Sequence, residues 1–274
     1  MTHPRVIALA PTWNAASFID KTLDSLAAQT YPNLSILVSD DCSTDGTAAI
    51  CVARAQQDDR FKLVQQPRNL GWVGNANALL RMAEERADYL LFAWHDDLLA
   101  PSYVERLVAR LEANRNAVIA FSDLSLTHLD GRQEIQIYDE LTDQHSAFLR
   151  AKSLAWQIGK WWAPVRGVFR AEAARQIGGL KAHGGGEFCA DWPWMLRMAT
   201  LGEFERVPET LCFKFFKSAS LSKKWQYNMK AYRSVTFSAA KEVRASNLSL
   251  KEKLWLHLSL ARQQFKHERN ARRA

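Results

Sequence analysis

Short apolar runs alternate with stretches of helical periodicity through the first 123 residues. Residues 6–10 (Val-Ile-Ala-Leu-Ala) form an unbroken apolar run ending at Pro11, the pattern of a buried strand. Phe18, Ile19, Leu23 and Leu26 then recur at helical spacing. The alternation continues as strand over 34–38, helix over 44–57, strand over 61–65, helix over 71–86 and strand over 89–93. Pro101 suits the first turn of a helix whose apolar stripe is Tyr103, Val104, Leu107, Val108 and Leu111. Residues 117–121 close the series as a fifth strand. Strands and helices joined by short connections predict a mostly parallel sheet covered by helices on both faces, a Rossmann-like α/β fold. Ligands bind such sheets beyond the carboxyl ends of the strands.

The second half is less regular. A polar stretch follows residue 123, then a helix is expected over 146–160, a strand over 165–170 and a helix over 190–201. Two short strands are expected at 204–207 and 211–215, and the chain from Ser222 reads as helix with a break at Ser246 and Asn247. Gly184, Gly185 and Gly186 read as a mobile loop ahead of the 190–201 helix.

Composition narrows the class. Of 274 residues 47% are hydrophobic, which is enough for one large core and argues against disorder. No apolar run approaches the roughly 20 residues that span a bilayer, and the N-terminus lacks a signal-peptide layout. Cys42, Cys51, Cys189 and Cys212 form no CxxC pair and read as free thiols of a reducing cytoplasm. The net charge of +7 is unevenly placed: residues 1–213 hold 21 Lys/Arg against 26 Asp/Glu, and residues 214–274 hold 15 against 3. A basic tail on an acidic body is not the footprint of a nucleic-acid binder, so no nucleic-acid partner is expected.

Three acidic clusters carry candidate chemistry. Asp40, Asp41 and Asp45 follow the second predicted strand, and Asp96 and Asp97 follow the fourth. Asp191 opens the 190–201 helix. A carboxylate such as Asp41 can accept the imide N–H of uracil or thymine. The same residues suit a turn, with Ser43 or Thr44 capping the next helix and Asp40 and Asp45 in structural roles. Adjacent acids after a buried strand can hold a hard cation against phosphate oxygens, although acids also favour helix N-termini. His95 is not assigned as a ligand, since hard cations prefer oxygen. Asp191 can act as a general base or cap its helix. Trp192 and Trp194 can stack on a sugar or lie in the core at helical spacing.

In their order and spacing, residues 10–14 (Ala-Pro-Thr-Trp-Asn), 29–33 (Gln-Thr-Tyr-Pro-Asn), 39–46, Asn69-Leu-Gly71, His95-Asp-Asp97, Ile177-Gly-Gly179 and Ala190-Asp-Trp192 resemble the family 2 glycosyltransferases, which have the GT-A fold. The resemblance covers about residues 5–220. It implies a GT-A domain over 1–220, with residues 1–123 binding the nucleotide sugar and 124–220 the acceptor, followed by a basic helical extension over 221–274. It implies an inverting transferase that moves sugar from a nucleoside diphosphate, UDP or dTDP favoured, to a hydroxyl of a glycan or lipid-linked acceptor in surface polysaccharide assembly. Asp191 is then the base, Asp97 the ligand of Mn²⁺ or Mg²⁺, and Asp41 the contact to the nucleotide base. Pro11, Thr12, Asn14, Asn69, Gly71, Asp96 and Lys217 are expected around the donor, and Trp192 and Trp194 near the acceptor.

The departures matter too. Ala190 stands where the family commonly has Glu, His95 where Asp is common, and Lys217 near a usual His. Ala76 stands where many members carry Arg, which brings the chain nearer a subgroup that includes rhamnosyltransferases and points to a deoxysugar donor. The alternatives are a nucleotidyltransferase, which would need a Gly-rich basic loop after the first strand, and a non-catalytic glycan- or nucleotide-binding protein. The expected location is cytoplasmic, with peripheral contact at the inner membrane face. Leu250, Leu254, Leu258, Ala261 and Phe265 share one helical face, expected to pack on the protein's own body or in a homo-oligomer, with an anionic membrane as the alternative.

Overall fold

The computed structural model describes residues 3–156, 161–216 and 228–271. The predicted alternation is present: β1 (Val6–Thr12), α1 (Ile19–Ala27), β2 (Leu34–Asp40), α2 (Thr47–Gln57), β3 (Phe61–Gln65), α3 (Gly71–Ala83) and β4 (Tyr89–Phe92). A short β5 (Asp97–Leu99) precedes α4 (Tyr103–Ala113) and the long β6 (Ala117–Thr127). Then come β7 (Gln133–Gln136), α5 (Ala147–Trp156), β8 (Val168–Arg170), α6 (Ala171–Ile177), α7 (Asp191–Met198) and β9 (Glu203–Phe215). The chain continues with α8 (Met229–Ala245) and α9 (Leu250–Ala271). Single 3₁₀ turns span Asp139–Leu141 and Pro164–Arg166.

The strands form one sheet in the order β3-β2-β1-β4-β8-β6-β9-β5, with β7 paired to β6. All seven residues of β1 are buried, as its unbroken apolar run requires of a central strand. β3, β2, β1 and β4 are parallel, so their carboxyl ends open on one edge. Beyond β4 the sheet is mixed: β8 runs antiparallel to β4 and β6, β9 is parallel to β6, and β5 is antiparallel to β9. That last pairing sets Asp97 opposite Lys214.

Several boundaries differ from the pattern-based ones. The two strands expected at 204–207 and 211–215 are the single strand β9. Val207 pairs with Ser122 and Thr210 with Asp123, so Pro208 and Glu209 bulge out and the strand continues past them. The strand expected from 165 begins only at Val168, because Pro164 starts a 3₁₀ turn. Of the glycines expected to form a mobile loop, Gly184 and Gly186 are exposed and Gly185 meets α8. A side-chain carbon at Gly185 would lie 2.9 Å from the α8 backbone at Ala231, and Phe188 packs edge-on against Tyr232. The C-terminal helices are therefore integral to this half: α8 packs on α7, and α9 on α5 and α8. The four cysteines are free.

Candidate active site

The ends of β1, β2 and β4 bring the first two acidic clusters together. Asp40 and Asp45 hold turns, as expected: Asp40 Oδ2 accepts the Ser43 amide at 3.1 Å, and Asp45 accepts the Thr47 and Ala16 amides at 3.1 and 3.0 Å. It is Asp45, not Ser43 or Thr44, that serves the start of α2. Asn14, in the left-handed region at φ 46°, accepts the Thr44 amide at 2.9 Å and ties the β1 loop to the β2 loop. Pro11 and Thr12 are buried beneath this junction.

Asp41 is buried, and its Oδ1 accepts the Leu70 amide at 2.7 Å. Burial pushes its carboxyl up, with the Leu70 and Gly71 amides opposing. Asn69 bridges the same loop, donating to Asp41 O at 3.2 Å and accepting from Gly71 N at 3.0 Å. Asp41 thus shapes the 69–71 loop. Glu187, which no periodicity singles out, meets that loop from the far half of the chain and accepts the Trp72 and Val73 amides at 3.2 and 3.0 Å. Burial raises its carboxyl as well, with those amides opposing and Asp41 adding repulsion. Gly71 is at φ +76°, and a side-chain carbon there would lie 2.5 Å from Glu187 Oε1. Gly71→Ala is expected to cost about 1–3 kcal/mol of stability. A calorimetric scan checks this, and a variant as stable as wild type would show that the loop tolerates a side chain there.

The next cluster is organised by Arg166. Its Nε donates to Asp97 Oδ2 at 2.5 Å, and its Nη1 donates to Trp162 O at 2.7 Å. Asp97 is only 3% exposed and faces inward onto this cation. Its Oδ1 accepts no hydrogen bond and lies 3.6 Å from Lys214 Nζ. Lys214 donates to Asp96 Oδ2 at 2.9 Å, and Asp96 keeps the more exposed edge, at 15%. Burial alone would raise the Asp96 carboxyl, but Lys214, His95 and Arg166 outweigh it and hold it well below the usual carboxylate range. Asp97, the expected cation ligand, is thus engaged by Arg166 through Oδ2 with Oδ1 accepting no hydrogen bond, and Asp96 is engaged by Lys214. His95 lies with Nδ1 3.3 Å from Pro11 O. Lys217 lies outside the described residues.

Asp191 is the first residue of α7, one position past the cap residue Ala190. It is partly exposed, and Trp161 Nε1 donates to its Oδ2 at 2.9 Å. Burial raises its carboxyl, opposed by the Trp161 hydrogen bond and the charge of Arg166. The same guanidinium, bonded to Asp97, also lowers the Asp96 carboxyl, after Lys214 and His95. Trp192 and Trp194 do not offer faces to a sugar. Each is 2% exposed; Trp192 donates to Leu154 O at 3.0 Å, and Trp194 packs edge-on against Phe92 and Phe169. Position on the inner face of α7 decides both. Trp72 and Trp94 are partly exposed and meet edge to face.

A chain with this sheet is similar to Staphylococcus aureus TarS 1-349, solved in complex with UDP-GlcNAc (TM-score 0.75, 17% identity, 96% of this chain and 73% of that one). It is also similar to the mannosyltransferase PcManGT of Pyrobaculum calidifontis in complex with GDP-Man and Mn²⁺ (TM-score 0.62, 18% identity, 95% and 74%). At such identity the likeness establishes the GT-A fold. In sequence it is 33% identical over 129 residues to the succinoglycan biosynthesis protein ExoO of Rhizobium meliloti, covering 47% of this chain and 36% of that protein. The chain covers between 22% and 50% of the length of the first curated relatives it matches. The model of glycosyl transferase family 2 matches residues 8–155, more than half of the chain, and the protein belongs to that family.

Proposed function

We propose that the protein transfers a sugar, with inversion, from a nucleoside diphosphate sugar to a hydroxyl of a glycan or lipid-linked acceptor in surface polysaccharide assembly. The observation that carries this reading is the set of carboxylates held in place by named partners: Asp96 by Lys214 at 2.9 Å, Asp97 by Arg166 at 2.5 Å, and Asp191 at the start of α7 by Trp161 Nε1 at 2.9 Å. Lys214 and its neighbours hold the Asp96 carboxyl below the usual range, and burial raises that of Asp191. A carboxylate with a raised pKa is the stronger base toward a hydroxyl proton. As the acceptor oxygen forms its bond to the anomeric carbon, its proton passes to Asp191, and the diphosphate leaves from the opposite face. A diphosphate needs its charge neutralised and not a proton, so one protein base suffices.

The residues present fit a divalent cation of the Mg²⁺ or Mn²⁺ kind. Both acids offer hard oxygens, Asp96 is ionised, and the Asp97 Oδ1 is a buried acceptor without a hydrogen bond. A cation held by these acids would complete its coordination with substrate phosphates and water. Asp96 would hold it, and it would supply charge stabilisation of the leaving diphosphate. Lys214 contributes a fixed positive charge at the same place. The 69–71 loop, set by Asp41, Asn69 and Glu187, faces the nucleotide, and UDP or dTDP is the favoured carrier. The complexes of TarS with UDP-GlcNAc and of PcManGT with GDP-Man and Mn²⁺ support a nucleotide-sugar donor and a divalent ion.

A nucleotidyltransferase is disfavoured by the β1 loop, where Trp13-Asn-Ala-Ala-Ser-Phe18 carries neither glycine nor a basic residue. Thermal shift with UDP, dTDP, GDP and CDP, with and without Mn²⁺, tests the reading. Ligand at a hundred times its Kd adds about 2.7 kcal/mol. UDP or dTDP is expected to stabilise the wild type more with Mn²⁺ than without it, and Asp96→Asn to lose that Mn²⁺-dependent part. No stabilisation by any nucleotide overturns the proposal, and retention of the Mn²⁺ effect in Asp96→Asn moves the cation elsewhere.

A further inference from the structure

Helix α9 turns an apolar stripe to solvent. Leu250 is 87% exposed, Leu254 61%, Leu258 49% and Phe265 69%. At about 100° per residue these four, with Ala261, fall within about 80° of arc. The side that packs inward is a different one, with Leu256 and Leu260 buried. The helix is therefore seated without the stripe, and the expectation that these leucines pack on the protein's own body is overturned. Trp255, Lys251, Arg262 and Lys266 are exposed and border the stripe along one flank. The capping acid Glu252 lies on the other side, accepting the Ser249 amide at 2.9 Å.

This arrangement of leucine, phenylalanine and a flanking row of cations, in a long helix with one side free, is that of an interfacial helix. No helix of the described residues is long and apolar enough to cross a membrane, so the contact is one of lying on a surface. Charge selects the occupant. The exposed cations Lys251, Arg262 and Lys266 border the stripe, so a second copy docked on the same face would bring like charge against like. An anionic lipid surface satisfies both the stripe and the cations.

We propose that this face of α9 lies on an anionic membrane, with the helix axis in the plane of the surface and the stripe in the headgroup region. The inference rests on the helix face alone and stands apart from the catalytic reading. α9 packs on α5 and α8, and α8 on α7, the helix that begins at Asp191. Membrane docking through α9 would hold the half that carries the base close to a lipid-linked acceptor.

Flotation of the full chain with vesicles tests this. Recovery with phosphatidylglycerol-containing vesicles at low salt is expected, with little on pure phosphatidylcholine and a fall as salt rises. Leu254→Ser/Leu258→Ser/Phe265→Ser is expected to lower recovery at least ~10-fold. Lys251→Glu/Arg262→Glu/Lys266→Glu is expected to lower partitioning by about fivefold or more per cation. Unchanged Tm and unchanged nucleotide-induced shifts would show that both variants fold. Wild type left in the soluble fraction with anionic vesicles, or variants floating like wild type, overturns the proposal. So does a concentration-dependent dimer in sedimentation velocity that the serine variant abolishes while vesicles recover nothing, which would assign the stripe to self-association.

Discussion

Asp191→Asn is expected to lower kcat by about a hundred- to ten-thousand-fold, the range of a lost general base, while nucleotide-induced thermal shifts stay at the wild-type level. The isostere keeps an oxygen for Trp161 Nε1 to donate to, so the local packing has no reason to change. Stability should move in the opposite direction from activity. Burial raises the Asp191 carboxyl above its unfolded value. Below the unfolded pKa both states are neutral and the group costs nothing. As pH rises through the unfolded and then the folded pKa, the native state must bury an anion, and stability falls by that amount. Asn carries no charge, so at neutral pH the variant is expected to be at least as stable as wild type. In wild type, kcat/KM should fall on the acid side with a midpoint above the ordinary Asp value of about 3.9, since only the ionised form accepts a proton. Stopped assays with donor and acceptor, beside calorimetric scans across pH, check all three. A variant that turns over normally removes Asp191 from the mechanism, and one that loses nucleotide binding assigns it a structural role.

What the chain discloses in advance depends on how local the signal is. Residues 61–65 appear as β3 with the bounds read from their apolar pattern, because a run flanked by polar turns fixes both ends. The Asp40–Asp45 turn is legible for the same reason, since its acceptors serve amides a few residues away. Asp96 and Asp97 are different. Neighbouring carboxylates take different partners, Asp96 pairing with Lys214 and Asp97 with Arg166, 69 residues on. No pattern around Arg166 marks it, because a buried arginine beside Pro164 looks like any strand-edge cation. Glu187 is hidden in the same way: it reads as one acid after three glycines, and its role exists only once α3 is brought 115 residues back to it. The C-terminal helix shows a third limit. Its sequence carries two apolar faces, Leu256 with Leu260 and Leu250 with Leu254 and Leu258, and periodicity cannot say which one the fold consumes. Trp192 and Trp194 likewise sit at positions compatible with either cleft or core, and the Phe92–Phe169 cluster claims Trp194.

Arg166→Met should be the most destabilising single change at the site. It leaves the Asp97 carboxylate 3% exposed with its 2.5 Å partner gone and only Lys214 nearby, at 3.6 Å. Breaking one side of a buried pair costs about 3–5 kcal/mol, because the remaining charge stays out of water. At about 2–4 °C per kcal/mol for a chain of this order, Tm should fall by roughly 10 °C. Adding Asp97→Asn to Arg166→Met removes the stranded charge and should recover most of that loss, a coupling that a double-mutant cycle reads directly. Activity should not return with it. Asp96 and Asp191 both feel the Arg166 charge, so without it the carboxyl of Asp96 is held down less firmly and that of Asp191 rises further. The acid limb of kcat/KM should then move to higher pH. Asp97→Asn alone separates the two accounts of that residue. Acting as a partner of Arg166, it should lower Tm by several degrees and leave the Mn²⁺ concentration for half-maximal activity near wild type. Acting as the cation ligand, it should raise that concentration and barely touch Tm. The packing of Asp97 against a buried guanidinium supports the first outcome, and the second would return the cation to Asp97.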